Sequence, residues 1–495
     1  LTPGLFSFLF LSNWGLLMQL LILAALLATL AQTEPASAPV TAVSATGQWL
    51  TGPWQFVLIL AATLAAPLAT AVDGYWFVGR LSRRLPTLAA DWHRAADRYQ
   101  KLQLASLWLW LAGSLVIIYV LDWPGLVRGE LSGRDWFLID DLLMLLPMLS
   151  SLVLIWMGFF AIEQTARRLR EQSQPGTTQR LSAEQNSLRK YLVWQFRHYL
   201  AMALFPALLV LGANDLLRNA GGLVDWPAWF TSNLACLLGL PLLAVLPIGL
   251  PLVLARLWPT SDLPPGDLRT SLESISSEFR TPLSRLLVWH TQGRMANAAV
   301  AGVSRLCRYL FLTDALLVQL SPGEISAVVR HELGHLQQKH LQQRLLLLAI
   351  PALAWFALQP HTGSDLDLLS TSSPYALAVS AGYLLYAVLV VGVVSQWFEY
   401  DADLAAVLDS RGQIDGDAAR DLIHALVALQ GPHRESRLTH WLHPPTSARV
   451  AWIRRVLMHP AAGWAYRRRL RRLRSGIYAV TIGLVALLAL GLATL

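Results

Sequence analysis

The chain has 495 residues, 55% apolar and only 14% charged, with 20 Trp and a formal net charge of +8. A soluble globular domain carries about a quarter charged residues. Here the charges cluster between long apolar runs, which excludes an ordinary soluble globule and points to a polytopic membrane protein. The positive balance suits nucleic acid or an anionic bilayer surface. The arginines flank apolar runs and no nucleic-acid-binding motif is present, which favours the bilayer as partner. Cys236 and Cys307 have no metal-ligand spacing, so neither a disulfide framework nor a cysteine metal site is expected.

In chain order, nine apolar runs read as spans: about 5–31, 54–72, 104–121, 142–162, 199–213, 227–257, 344–360, 376–397 and 477–495. The first is too long for the core of a cleaved signal peptide and reads as a retained span. The loops between the spans alternate in basic content. Segment 32–53 holds no Lys or Arg, 73–103 holds six, 163–198 seven, 214–226 only Arg218 and 361–375 none, while 258–343 and 398–476 are strongly basic. By the positive-inside rule the basic loops face the cytoplasm, and both large polar segments fall on that side. The expected organisation is therefore a membrane domain over 1–258, a polar segment over 259–343, two spans over 344–397, a second polar segment over 398–476 and a last span over 477–495. The run Tyr466 to Arg474 reads as a membrane-surface anchor.

The chemistry lies in the polar segments. Ser321, Pro322 and Glu324 form a helix start, with Ser321 as cap, Pro322 at the first helical position and Glu324 closing a capping box. The helix is expected to run to about Arg344 and into the following span, with Val328 and Val329 packing it into the domain. It carries His331-Glu332-Leu333-Gly334-His335. Two histidines four apart share one helix face and can grip one zinc ion, and Glu332 beside them can take a proton from the metal's water. A catalytic zinc needs a third protein ligand. A third histidine six residues after His335 is absent, since position 341 is Leu, and His340 lies too far along the helix axis to reach the same ion. Glu399, just past an apolar span on the same predicted side, is the best distant ligand. Asp403, four residues on, can hydrogen-bond a ligand imidazole and fix its tautomer. The alternative for this pair is a solvated helix start outside the bilayer. His443 and Arg449, around Pro444-Pro445-Thr446, can reach the open side of the metal and hold the charge of a tetrahedral intermediate, or can simply belong to a surface loop.

Taken together, His331-Glu332-Leu333-Gly334-His335, Glu399 with Ala402-Asp403, His443-Pro444-Pro445-Thr446 with Arg449, Asn297-Ala298, and Leu312-Thr313-Asp314-Ala315-Leu316-Leu317 resemble the M48 family of integral-membrane zinc metalloproteases. That family includes the CAAX prenyl proteases and the HtpX-type quality-control proteases. The resemblance covers about 290–455. It implies one Zn2+ per chain on His331, His335 and Glu399, Glu332 as general base, Asp403 behind the ligands, and His443 and Arg449 at the transition state or the substrate. It also implies that Asn297 and Ala298 lie on an edge strand that takes a substrate peptide as an extra strand. The expected fold is mainly α, a polytopic helical membrane protein with a cytoplasmic zincin-type peptidase domain containing a small β-sheet. The expected substrate is a membrane-associated peptide or protein, and the expected location is a bacterial inner membrane with the site facing the cytoplasm. Several features depart from the family, among them the six spans before the polar segment, which match neither branch, and the extra last span at 477–495. Gln396 stands where an Arg usually precedes the glutamate ligand, and the first 255 residues carry no nameable motif. A signal-transducing membrane protease and a non-catalytic scaffold are the rival readings. The short predicted outer loops argue against the first, and the intact Glu332 against the second.

Overall fold

The computed structural model describes residues 53–83, 88–129, 138–173, 187–201, 204–205, 207–209, 212, 248–291, 293, 295–362, 382–383, 385–430 and 443–493. The predicted span 5–31 lies outside them, as do parts of 199–213, 227–257 and 376–397. The chain divides into two compact units, Leu1–Leu246 and Pro247–Leu495.

The first unit is helical. It contains α1 (Pro53–Arg83), α2 (Leu88–Leu115, continued by a π turn over Val116–Val120), α3 (Trp123–Gly129), α4 (Ile139–Ser173) and α5 (Leu188–Gln195, continued by a π turn over Phe196–Leu200). Its core joins aromatic and aliphatic side chains of these helices, among them Trp110, Ile155, Trp156, Phe159 and Trp194. Several polar groups inside it are paired within the unit. Trp110 Nε1 donates to the Met148 carbonyl at 2.9 Å, and Tyr99 and Tyr191 hydroxyls donate to Glu163 at 3.1 and 3.2 Å. A medium without water requires such internal pairing.

The second unit begins with a short apolar helix, α6 (Ile248–Leu257), and then builds a four-stranded sheet. The strands are β1 (Thr260–Asp262), β2 (Arg285–Trp289), β3 (Ala298–Ala301) and β4 (Tyr309–Thr313), in the order β1-β2-β4-β3. β2 and β4 are parallel, with Arg285 opposite Tyr309, while β1 and β3 run antiparallel at the two edges. All five residues of β4 are buried, as a central strand covered on both faces must be. On one face Leu310 and Leu312 meet Val328, Val329 and Leu333 of the helix behind. On the other, Trp258 packs edge-on to Phe311 and stacks on Trp289 at 3.8 Å.

Helices follow: α7 (Asp267–Glu278) precedes β2, and α8 (Asp314–Gln319), α9 (Pro322–Gln337), α10 (His340–Thr362), α11 (Gly392–Ala406), α12 (Gly416–Gln430), α13 (Thr446–Met458) and α14 (Pro460–Ala493) come after β4. The helix start read from sequence is present in full. The Ser321 backbone N–H donates to Glu324 Oε2 at 2.7 Å, and the Ser321 hydroxyl accepts from the Glu324 N–H. The continuous helix expected from Ser321 into the span at 344–360 is not. The chain leaves α9 at Gln338 and turns through Lys339, whose φ is +58°, before α10 begins at His340.

Helix α9 lies against α11 at Gly334. A Cβ there would stand 2.9 Å from Ala405 Cβ and 3.3 Å from Ala402 Cα, so the glycine permits the close approach. Gly334→Ala should force the two helices apart and cost about 1–3 kcal/mol. Thermal unfolding of the detergent-solubilised protein would measure this, and an unchanged midpoint would show that the contact carries no weight.

Four described helices are long and apolar enough to cross a bilayer: Trp54–Arg80, Lys101–Val120, Ile139–Thr165 and Pro460–Leu490. They coincide with the predicted spans at 54–72, 104–121, 142–162 and 477–495 and make this an integral membrane protein. The count of nine is not reached among the described residues, and α10, over the predicted 344–360, is not one of the four.

Candidate metal centre

Helix α9 presents His331 and His335 one turn apart on a face turned toward α11, from which Glu399 projects. His331 Nε2 and His335 Nε2 are 3.2 Å apart, and each lies 3.4 Å from an oxygen of Glu399. Two ligands about 2.0–2.2 Å from a tetrahedral ion stand roughly 3.3–3.6 Å apart, so the three groups fit a single metal ion. Their ligand atoms all fall within 4.8 Å of one another. Glu399 Oε2 is buried with imidazole nitrogens of His331 and His443 and the Arg449 guanidinium near it, an oxygen that a metal ion would satisfy.

The backs of the ligands are held as well. Asp403 Oδ1 lies 3.0 Å from His331 Nδ1, leaving His331 Nε2 for the metal side. Arg449 in turn grips Asp403 with both arms, Nε donating to Oδ2 at 2.9 Å and Nη2 to Oδ1. Burial and the Arg449 charge pull the His331 ring down, but its hydrogen bonds to Asp403 and Glu399 outweigh them and leave it at about 9. Burial, with the nearby His331 charge, holds His335 well below its usual range. Burial alone would raise Glu399, yet the His443 and His335 charges keep it well below the ordinary carboxylate range. Glu332 is pushed up, by burial first, with Glu399 adding to it against the opposing His331 charge. A carboxyl raised in this way suits a group that must accept a proton and give it back.

The remaining residues named from sequence fall out as follows. His443 is half-exposed, with Nδ1 3.1 Å from Glu399 Oε2, at the rim of the ligand set. Arg449 is largely buried; it grips Asp403 and also brings Nη1 to 3.8 Å from Glu399 Oε2 and Nη2 to 3.4 Å from His331 Nε2, beside the atoms that would face a metal. Asn297 precedes the edge strand β3; its carbonyl accepts from the Thr313 N–H at 3.0 Å, and its Oδ1 from the Ala298 N–H at 3.0 Å. The Ala298 side chain points into the core with Leu310 and Leu312, leaving only its backbone for any strand-like contact.

Several groups at the site were not picked out from sequence. Arg344, at the start of α10, brings Nη2 to 3.6 Å from Glu399 Oε1. His340 Nδ1 lies 2.8 Å from His335 Nδ1, and His340 Nε2 lies 3.2 Å from Asp401 Oδ2. Two arginines of the run read as a surface anchor, Arg467 and Arg474, turn inward to the same Asp401. The signal for these was weak. Asp401 is two residues from Glu399, a spacing that puts it on another face of a helix, and the turn at Lys339 carries no Gly or Pro.

A His/His/Glu cluster with a neighbouring glutamate, on two helices packed beside a small sheet, is the donor arrangement that zinc metallopeptidases use. The comparisons place it further. Residues 263–457 match the family model of Peptidase family M48. The chain is similar to a CAAX prenyl protease 1 homolog of Arabidopsis thaliana, with 26% identity over 292 residues, covering 54% of this chain and 66% of the relative. It is also similar to the CAAX prenyl protease 1 of Saccharomyces cerevisiae, with 24% identity over 194 residues, covering 33% of this chain and 42% of the relative. The chain thus spans less than two thirds of either relative's length. Among solved structures it matches S. mikatae Ste24p at 17% identity and a TM-score of 0.43, over 81% of this chain and 99% of that one.

Proposed function

We propose that this protein is a zinc-dependent endopeptidase of the membrane, cleaving membrane-associated peptides or membrane proteins at the cytoplasmic face. The observation that carries the reading is the convergence of His331, His335 and Glu399 on one point, with Glu332 next to His331 in the chain. These three residues would hold the zinc. Bound there, a zinc ion supplies Lewis acidity and lowers the pKa of a water toward ~7. Glu332 accepts the proton of the attacking water and later delivers it to the leaving amine. His443, at the rim, offers a hydrogen bond to the oxyanion that forms at the scissile carbonyl. Asp403 fixes the tautomer of His331, and Arg449 holds Asp403 in place. The free edge of β3, starting at Asn297 and Ala298, offers main-chain groups to an extended substrate. The CAAX prenyl protease names of the two relatives favour prenylated peptides over misfolded membrane proteins as the substrate class.

The test is zinc removal. The purified full chain in detergent should cleave a quenched fluorescent peptide and lose that activity on dialysis against a zinc chelator. It should regain it at one equivalent of added zinc. Activity that survives complete demetallation would overturn the reading.

A further inference from the structure

The two histidines of the cluster are held from behind by different means. His331 meets a carboxylate directly, through Asp403 at 3.0 Å. His335 meets another imidazole, with His340 Nδ1 at 2.8 Å from its own Nδ1. That contact exists because the chain breaks at Lys339. A continuous helix would carry position 340 well around the axis from position 335, whereas the turn folds the His340 ring back against His335.

Zinc ligation by His335 would set who donates. His335 turns Nε2 toward Glu399 and His331, so a metal-ligating His335 carries its proton on Nδ1. His340 Nδ1 must then accept, which puts the His340 proton on Nε2, 3.2 Å from Asp401 Oδ2; Arg474 Nη2, 3.1 Å from that nitrogen, donates to the same Asp401 oxygen instead. His340 and Asp401 are both wholly buried, and the His340 ring stacks face to face on Phe398 at 4.3 Å. Asp401 is clamped by Arg467 at 3.2 Å and by Arg474, both from α14. Arg474 also donates to Gln338 Oε1 at 2.6 Å, at the turn that positions His340.

We infer that His340 and Asp401 are positioning residues for the metal ligand His335, and that Arg474 of the last helix holds their relay in register. The chain of contacts runs His335 Nδ1–H to His340 Nδ1, then His340 Nε2–H to Asp401, then Asp401 to Arg474. It does for His335 what Asp403 and Arg449 do for His331, with one imidazole inserted. The inference rests on the proposal that His335 binds zinc.

The relay predicts a metal-affinity defect rather than a general loss of structure. Zinc affinity of the full chain is measured by competition with a chromophoric chelator, and ligand geometry by the visible absorption of the cobalt-substituted protein. His340→Leu should weaken zinc retention about 10–100-fold and alter the cobalt spectrum. His340→Gln should recover most of the affinity, since an amide can accept from His335 and donate to Asp401. Wild-type affinity and spectrum in His340→Leu, or equal losses in the Leu and Gln variants, would overturn the relay. Should His340→Leu not fold, Arg474→Gln carries the test: several-fold weaker zinc retention supports the relay, and unchanged retention overturns it. Full zinc binding by His335→Ala would instead overturn the metal reading itself, and the relay with it.

Discussion

Glu332→Gln should abolish peptide hydrolysis, with kcat falling by at least 10²–10⁴-fold, the range expected for loss of a positioned general base. Zinc content should stay near one per chain, because Glu332 is not among the three converging ligands. Glutamine keeps the shape and removes the capacity to take a proton. The raised pKa of Glu332, caused by its burial and by Glu399, places the native carboxyl nearer the working pH than an exposed glutamate. Single-turnover cleavage with parallel metal analysis measures both quantities. Full activity in this variant would remove Glu332 from the mechanism. The same inactive variant also separates the substrate classes. When membranes containing it are compared with membranes containing active enzyme, a few discrete cleavage sites indicate processing, and many sites in misfolded proteins indicate quality control.

Glu399→Ala should have a second large effect, of a different kind. Glu399 is wholly buried, and His331, His335, His443, Arg344 and Arg449 all lie within 4 Å of its oxygens. Removing it would delete the proposed third metal ligand and leave buried cationic groups without their counter-charge, a change that costs about 3–5 kcal/mol at a buried pair. Zinc content should fall toward zero at chelator concentrations the wild type withstands, activity should vanish, and the thermal midpoint should drop. An Ala variant that keeps its zinc would show that the third ligand lies elsewhere.

Much of the centre was legible in the sequence because it rests on short-range geometry. His331 and His335 share a helix face by spacing, the capping box announces where that helix starts, and the Leu at position 341 forces the third ligand to a distant segment. Asp403 follows from Glu399 by the same four-residue rule. The parts that stayed hidden depend on long-range packing. No local residue pattern marks Lys339 as a turn, since the positive φ is imposed by the α9–α10 junction. The arginines of α14 look like a bilayer-facing run because Asp401, 73 residues before Arg474, is not visible as their partner. The strand order, with β4 between β2 and β3, rests on pairings that no periodicity encodes. Arg449 was expected to stabilise the transition state or bind substrate; its bidentate grip on Asp403 follows from where α13 docks and was not visible from sequence.

The parts that complete the centre are far apart along the chain, and this sets when during synthesis it can form. Arg474 contacts His340 across 134 residues, and Arg449 contacts His331 across 118. At ribosomal rates of 5–20 residues per second, the pentapeptide is made on the order of ten seconds before the last of these arginines. Throughout that interval the nascent chain carries a recognisable protease motif without the groups that orient it. The contacts that orient the two histidines can therefore form only once the chain through Arg474 has been made and has folded.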